Sequence, residues 1–251
     1  MADAAEAADD ALARLSAELA RAREHARRGT ALTVSGGAPA PELTSAADLL
    51  ASASDEADAA RRGLLALRGI AAAIQPAVTV PVLSFGGTDL ELIAGQLQSS
   101  AAAATLFLQR RDATQAVVDA LGAALAALER DDPAGALVSL GQADAPLALL
   151  EDWEERPPLL RYWLMISGDL LDAARDIATA TLNDDPAAVK AAGERYAAAA
   201  ELARGADNAL ALTLSEEGAA ISATPLRRLA EVADEADEAR SGLVPVLPEA
   251  S

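Results

Sequence analysis

The chain has 251 residues and a formal net charge of −19, from 39 acidic and 20 basic residues. This negative charge argues against binding to nucleic acid or anionic lipid, since both rely on basic side chains that neutralise phosphates. The chain has no cysteine, which excludes disulfide bonds, thiolate metal sites and a cysteine nucleophile.

The N-terminal sequence and the hydropathy pattern predict a soluble, cytoplasmic protein. The first residues, MADAAEAADDALARL, are acidic, whereas a secretory signal begins basic and continues apolar. A membrane-spanning helix needs about 20 apolar residues, and the most apolar stretches, 64–83 and 106–128, are interrupted by charged residues or proline. About a quarter of all residues are alanine, which predicts helices that pack closely through small side chains.

The first two predicted helices carry long apolar stripes. Residues 3–28 form an amphipathic helix whose apolar positions recur every three or four residues. A glycine- and proline-rich break at 29–43 ends this helix, and a second helix runs from Thr44 or Ser45 to about Ile74. Such spacing favours antiparallel pairing of the two helices within one chain, and a coiled coil between chains is the alternative. The first stripe consists of Ala5, Ala8, Leu12, Leu15, Leu19, Ala22 and Ala26.

Residues 75–87 are the only segment with strand-like composition, and their two prolines forbid both a helix interior and a central strand. We predict an extended crossover in which Phe85 packs on one end of a helical bundle. Thr88 with Glu91 resembles a capping box and predicts the next helix start. The sequence leaves open whether this helix ends near Arg110 or continues to Arg130.

The tetrapeptide Asp-Asp-Pro-Ala occurs at 131–134 and at 184–187. In each copy the second aspartate is a predicted N-cap, and proline takes the first helical position. Between the two copies, 150–182 holds both tryptophans of the chain and predicts a buried helix from Pro157 or Pro158. Thr224 with Pro225 predicts the start of a last helix, which runs to about Arg240.

These elements predict an all-α protein, an antiparallel bundle of about seven to eight helices with no substantial sheet. The first of these aspartate-rich helix starts, at residue 131, divides the chain into two predicted halves, 1–130 and 131–240, followed by a flexible tail at 241–251. One continuous bundle fits the same pattern. A division into halves is therefore supported only by the start signal at residue 131.

The sequence lacks the residues that most catalytic sites and metal sites require. The single histidine, His25, is predicted on a solvated helix surface, and zinc sites built from histidine and cysteine are excluded. No Glu-x-x-His motif occurs, so a di-iron carboxylate bundle is excluded as well. Asp169, Asp172 and Asp176 share one helix face and are a weak candidate for Mg²⁺, although a solvated acidic face is the favoured interpretation. We predict no cofactor.

One group of residues is a candidate for ligand binding. Trp153, Arg156, Arg161, Tyr162 and Trp163, with Tyr196 from a later helix, are a candidate aromatic pocket. Core packing of the large side chains is the favoured alternative. Four arginine doublets begin at residues 27, 61, 110 and 227. The first is interpreted as complementing a helix dipole and the others as surface charge, and a phosphate site would require several of them to converge in the fold.

The long helical stripes and the missing catalytic groups predict a non-enzymatic helical protein. We expect it to act through protein contacts, as an adaptor, regulator or assembly component, with a protein partner or by self-association. The alternatives are a small-molecule-binding bundle with the aromatic pocket and a Mg²⁺-dependent enzyme that uses the three aspartates. We expect neither nucleic acid nor a membrane as a partner.

Overall fold

A computed structural model describes residues 1–153 and 157–243, and within them every regular element is an α-helix. The predicted all-α class is confirmed. Within the described ranges, six helices are long, with 21 to 43 residues, slightly fewer than the predicted seven to eight, and two further helices have nine and eight residues. The helices are α1 (Ala2–Ser35), α2 (Pro39–Ile74), α3 (Gly87–Glu129), α4 (Pro133–Gly141), α5 (Asp144–Glu151), α6 (Pro158–Leu182), α7 (Pro186–Ala220) and α8 (Ala223–Leu243).

The chain divides into two compact units that do not coincide with the predicted halves. Unit 1 consists of Met1–Thr105 and Gly218–Ser251, and unit 2 consists of Leu106–Glu217. The helices α3 and α7 each contribute residues to both units. Unit 1 is therefore assembled from two separate stretches of the sequence. In the part of the chain that the structure describes, no helix has the combination of length and apolar character needed to cross a membrane.

In unit 1, α1 and α2 form an antiparallel hairpin within one chain, as the stripe pattern predicted. Arg14 Nε lies 3.0 Å from Glu56 Oε2, and His25 Nδ1 lies 2.7 Å from Glu42 Oε2. His25 is therefore half-buried beside a carboxylate, which corrects its prediction as a solvated residue. Exposed ion pairs contribute only about 0–1 kcal/mol each, so burial of the two apolar stripes stabilises the hairpin.

The connection between α1 and α2 is much shorter than the predicted break at 29–43. Gly29 lies inside α1, and a Cβ there would be 2.6 Å from Leu43 Cγ, so this glycine permits close packing and does not end the helix. The turn comes at Gly36, whose φ of 91° is a left-handed conformation that glycine adopts without strain. Pro39 then begins α2 at a position where its missing N–H costs nothing.

The predicted extended crossover is present at 75–86. Val80, Leu83 and Phe85 are buried in the core of unit 1. The backbone N–H of Ser84 donates to Glu235 Oε1, and its hydroxyl donates to Glu235 Oε2 at 2.7 Å. These contacts join the crossover to α8.

The N-terminus of α3 differs in detail from the predicted capping box. The helix starts at Gly87, and Asp89 Oδ2 accepts a hydrogen bond of 2.8 Å from the Gly86 N–H. Glu91, the predicted capping residue, instead accepts a hydrogen bond from the Ser54 hydroxyl at 3.4 Å. The helix then continues without interruption to Glu129.

Both Asp-Asp-Pro-Ala segments start helices as predicted. The side chain of Asp132 accepts from the Gly135 N–H at 2.8 Å, and Asp185 accepts from the Ala188 N–H at 3.0 Å. The preceding aspartates, Asp131 and Asp184, have φ of 61° and 53°, so the backbone conformation is also repeated.

In unit 1, α8 packs antiparallel on α1 and ends three residues beyond the prediction. Arg23 Nη1 lies 2.9 Å from Asp234 Oδ1, and the Thr30 and Ser222 hydroxyl oxygens are 2.7 Å apart. Ser241 to Leu243, predicted as part of a flexible tail, belong to the helix, and Leu243 is fully buried. The remainder of that predicted tail, residues 244–251, lies outside the described residues.

Candidate functional site

Trp163 is a packing residue between α6 and α7. Its side chain is only 2% exposed, and its Nε1 donates to Asp207 Oδ1 at 2.7 Å. A buried indole N–H usually requires such an acceptor. This predicted pocket residue therefore has both its ring and its polar atom engaged by the protein itself.

Trp153, the second tryptophan of the predicted pocket, is covered by Arg110 from α3. The Arg110 Cζ atom lies 4.1 Å from the centroid of the Trp153 ring, a cation–π contact. Burial lowers the pKa of the Arg110 guanidinium, because desolvation disfavours its charged form. Arg110 was not predicted as a member of this group. The only feature of the sequence that singled out Arg110 was its place in an arginine doublet.

The remaining predicted pocket residues do not share the environment of the two tryptophans. Arg161 and Tyr162 are exposed on α6, whereas Tyr196 on α7 is half-buried. Burial raises the pKa of the Tyr196 phenol, because its anionic form would be desolvated. Arg156 lies outside the described residues. Of the predicted pocket residues that the structure describes, two have buried indoles, one has a half-buried phenol and two have exposed side chains.

The three aspartates of α6 are exposed, as expected for a solvated acidic face. Asp172 Oδ1 lies 3.3 Å from Arg175 Nη1, and Asp176 Oδ2 lies 2.7 Å from Arg195 Nη2. Asp169, the third aspartate, precedes Asp172 by one helical turn. Among the residues that the structure describes, no group of three or more His, Cys, Asp or Glu side chains is arranged to hold a metal ion.

One face of α6 combines these aspartates with exposed apolar side chains. Leu159, Tyr162 and Met165 are 39%, 42% and 57% exposed. Toward the C-terminus of α6 the same face continues with Asp169, Asp172 and Asp176. We call the five residues Tyr162, Met165, Asp169, Asp172 and Asp176 the exposed face of α6, because Leu159, exposed at the helix start, shares its angular position with the buried Leu170. Its N-terminal half is apolar and its C-terminal half is acidic, a combination typical of protein-binding surfaces.

The spacing of the sequence explains why this face exists. From Tyr162 onward its residues recur at three- and four-residue steps, so they form one stripe along the helix. A second stripe, which includes Leu160, Trp163 and Leu170, is buried. Leu159, in the first turn of the helix that the sequence predicts to be buried, is 39% exposed, which corrects that prediction for this residue. Met165 was not recognised as a surface residue, although its position between Tyr162 and Asp169 was the available signal.

Comparisons with protein-family models, with curated proteins and with solved structures find no match for this chain.

Proposed function

We propose that the protein is a non-enzymatic, cytoplasmic helical protein that acts through protein–protein contacts, as an adaptor, regulator or assembly component. The contact surface is the exposed face of α6. The observation that carries the proposal is the apolar row of Tyr162 and Met165, which are exposed on α6 although the chain has only two tyrosines and two methionines. Exposed tyrosine and methionine are enriched where proteins bind one another.

The charge of the chain favours a particular kind of partner. The apolar row is followed by Asp169, Asp172 and Asp176, of which Asp172 and Asp176 already pair with Arg175 and Arg195. The attraction for a basic partner therefore comes mainly from the net charge of −19. A second copy would bring a further −19 to the contact, whereas a basic protein would be attracted. The proposed partner presents apolar side chains beside lysine or arginine.

Site-specific photo-crosslinking tests this surface. A photoreactive phenylalanine analogue at position 162 is expected to crosslink to one protein in cells that express the chain. The same analogue at Leu212, which is 63% exposed on α7, is the matched control and should not capture that protein. Identical crosslinks from both positions, or none from position 162, would contradict the proposal.

A substitution then tests whether the captured protein binds through the apolar row. The double variant Tyr162→Ser, Met165→Ser is expected to weaken binding at least about tenfold, since anchors of this kind are worth more than about 1 kcal/mol each. The control variant Leu202→Ser, Leu212→Ser changes two exposed leucines of α7 and should bind normally. Light scattering at low and high salt gives the mass of the free chain and reveals any self-association.

The two alternative functions have less support. A small-molecule pocket built on Trp153 and Trp163 would have to displace Arg110 and Asp207 from the indoles. Tryptophan emission that shifts with a ligand would favour this alternative. A Mg²⁺ enzyme would have to release Asp172 and Asp176 from Arg175 and Arg195, and a rise in Tm with Mg²⁺ would favour it.

A further inference from the structure

A groove between α1 and α8 in unit 1 brings together arginines that lie about 200 positions apart in the chain. Arg23 and Arg27 line it from α1, and Arg227 lines it from α8. Its volume is about 330 Å³, and Ala223, Leu226 and Ala230 provide an apolar floor. The size is at the lower end of the range for small-molecule sites, about 300–1,000 Å³. We call this feature the α1–α8 groove.

The α1–α8 groove is locally basic in a strongly acidic protein. Within the described part of the chain, its lining contains three arginines and no aspartate or glutamate. Two of the four arginine doublets, those beginning at Arg27 and Arg227, each contribute one residue. The convergence that a phosphate site requires is therefore present here.

The three arginines differ in how they are held. Arg23 donates from Nη1 to Asp234 at 2.9 Å, which fixes its side chain, while its buried Nε has no hydrogen-bond acceptor within the described structure. Arg27 and Arg227 are exposed and take part in no ion pair between described residues. A buried donor without an acceptor costs about 1–3 kcal/mol, so Arg23 is held at an energetic cost.

The start of α8 adds to the attraction for an anion. Ala223 is both the first residue of α8 and part of the groove. The helix dipole places partial positive charge at this end of α8, although Pro225 lacks an N–H and the Leu226 N–H donates to the Ser222 carbonyl at 3.0 Å. Phosphates bind at such positions for this reason.

We propose that the α1–α8 groove binds a small molecule that carries a phosphate group and an apolar portion. The planar arginine side chains fit two phosphate oxygens at once, and Leu226 contacts the apolar portion. A long nucleic acid would meet the negative field of the whole chain, whereas a small anion meets mainly the local arginines. This inference is independent of the exposed face of α6.

Calorimetric titration of the full chain with phenyl phosphate, at constant ionic strength, tests the proposal. The wild-type protein is expected to bind with a Kd at or below about 1 mM. The variant Arg27→Gln, Arg227→Gln should bind about tenfold more weakly for each arginine removed. The control Arg62→Gln, Arg130→Gln loses the same charge from exposed positions that do not line the groove, and its Kd should be unchanged.

A conservative variant separates the contribution of the planar guanidinium group from that of its positive charge. Arg227→Lys keeps the positive charge but loses the planar pair of donors, so its affinity should lie between those of the wild type and Arg227→Gln. Circular dichroism melts of each variant confirm that it is folded. Absence of binding up to about 10 mM phenyl phosphate, or equal affinity in the Arg27→Gln, Arg227→Gln variant, would overturn the proposal. If a phosphoserine peptide bound to the protein and phenyl phosphate did not, the proposal would also be overturned, and the groove would be identified as a peptide-binding site.

Discussion

Gly29 occupies a position in α1 where the side chain of Leu43 takes the space that a Cβ would need. The distance from such a Cβ to Leu43 Cγ would be 2.6 Å, well inside contact distance. Gly29→Ala should therefore destabilise the protein by about 1–3 kcal/mol through overpacking, less the helix preference of alanine, about 1 kcal/mol. Urea denaturation followed by circular dichroism measures the net change.

Gly69 provides the matched control for this substitution. It lies in α2, and a Cβ there would meet nothing within 4 Å. Gly69→Ala should stabilise the protein by about 0.5–1 kcal/mol, because alanine loses less entropy than glycine in a helix. If Gly29→Ala stabilised the protein as much as Gly69→Ala, close packing at Gly29 would be disproved.

At the residue scale, the sequence predicts what depends on neighbours in the chain. Asp132 and Asp185 were predicted as N-caps because a cap bonds to an amide three residues away. Gly29 was misread as part of a break because its partner, Leu43, lies across the hairpin. The position of a glycine in the sequence does not by itself show whether it ends a helix or permits close packing of two helices.

The hairpin of α1 and α2 offers a test at the scale of one element. Leu64 and Leu65 are adjacent in α2 and have the same chemistry, but they are 2% and 53% exposed. Leu64→Ala should reduce the free energy of unfolding by about 2–5 kcal/mol, since it leaves a cavity between the helices. Leu65→Ala should change it by less than about 0.5 kcal/mol.

Thermal and urea denaturation of the two leucine variants give the comparison directly. Similar losses of stability in both variants would contradict the assigned orientation of α2. The pairing of α1 with α2 was predictable because both stripes are long and regular. In α6 the first turns are apolar on several sides, so spacing alone did not separate the buried Trp163 from the exposed Leu159 and Tyr162.

Net charge sets the behaviour of the whole molecule in salt. A charge of −19 produces repulsion between like charges that unfolding would relieve. Raising NaCl from about 10 mM to about 150 mM shortens the screening length from about 30 Å to about 8 Å. We therefore expect Tm to rise over this range and then level off.

Differential scanning calorimetry over a series of NaCl concentrations measures this dependence. A fall in Tm as salt is added would mean that the ion pairs outweigh the repulsion. A rise that continues in proportion to salt beyond about 0.5 M would indicate a different cause, the exclusion of salt from the protein surface.

The division into units was not predictable from the sequence. Helix starts at residues 131 and 184 are local signals, and they suggested a boundary where the chain only begins new helices. Unit 1 instead depends on contacts such as Arg23 with Asp234 and Arg240 with Asp9, whose partners lie more than 200 positions apart. Composition and spacing carry no information about which helices pair over such separations. The α1–α8 groove was unpredictable for the same reason.

The pairing of α1 with α8 has a consequence for synthesis on the ribosome. Unit 2 is one continuous stretch, so all of its residues have been synthesised before Gly218 is added. Unit 1 must wait for α8, and until then the part of α1 that α8 covers stays open to water and to chaperones. The order of translation therefore favours completion of unit 2 before unit 1, although unit 1 starts earlier in the sequence. Until α8 is made, α1 and α2 persist as a hairpin that lacks one of its covering helices.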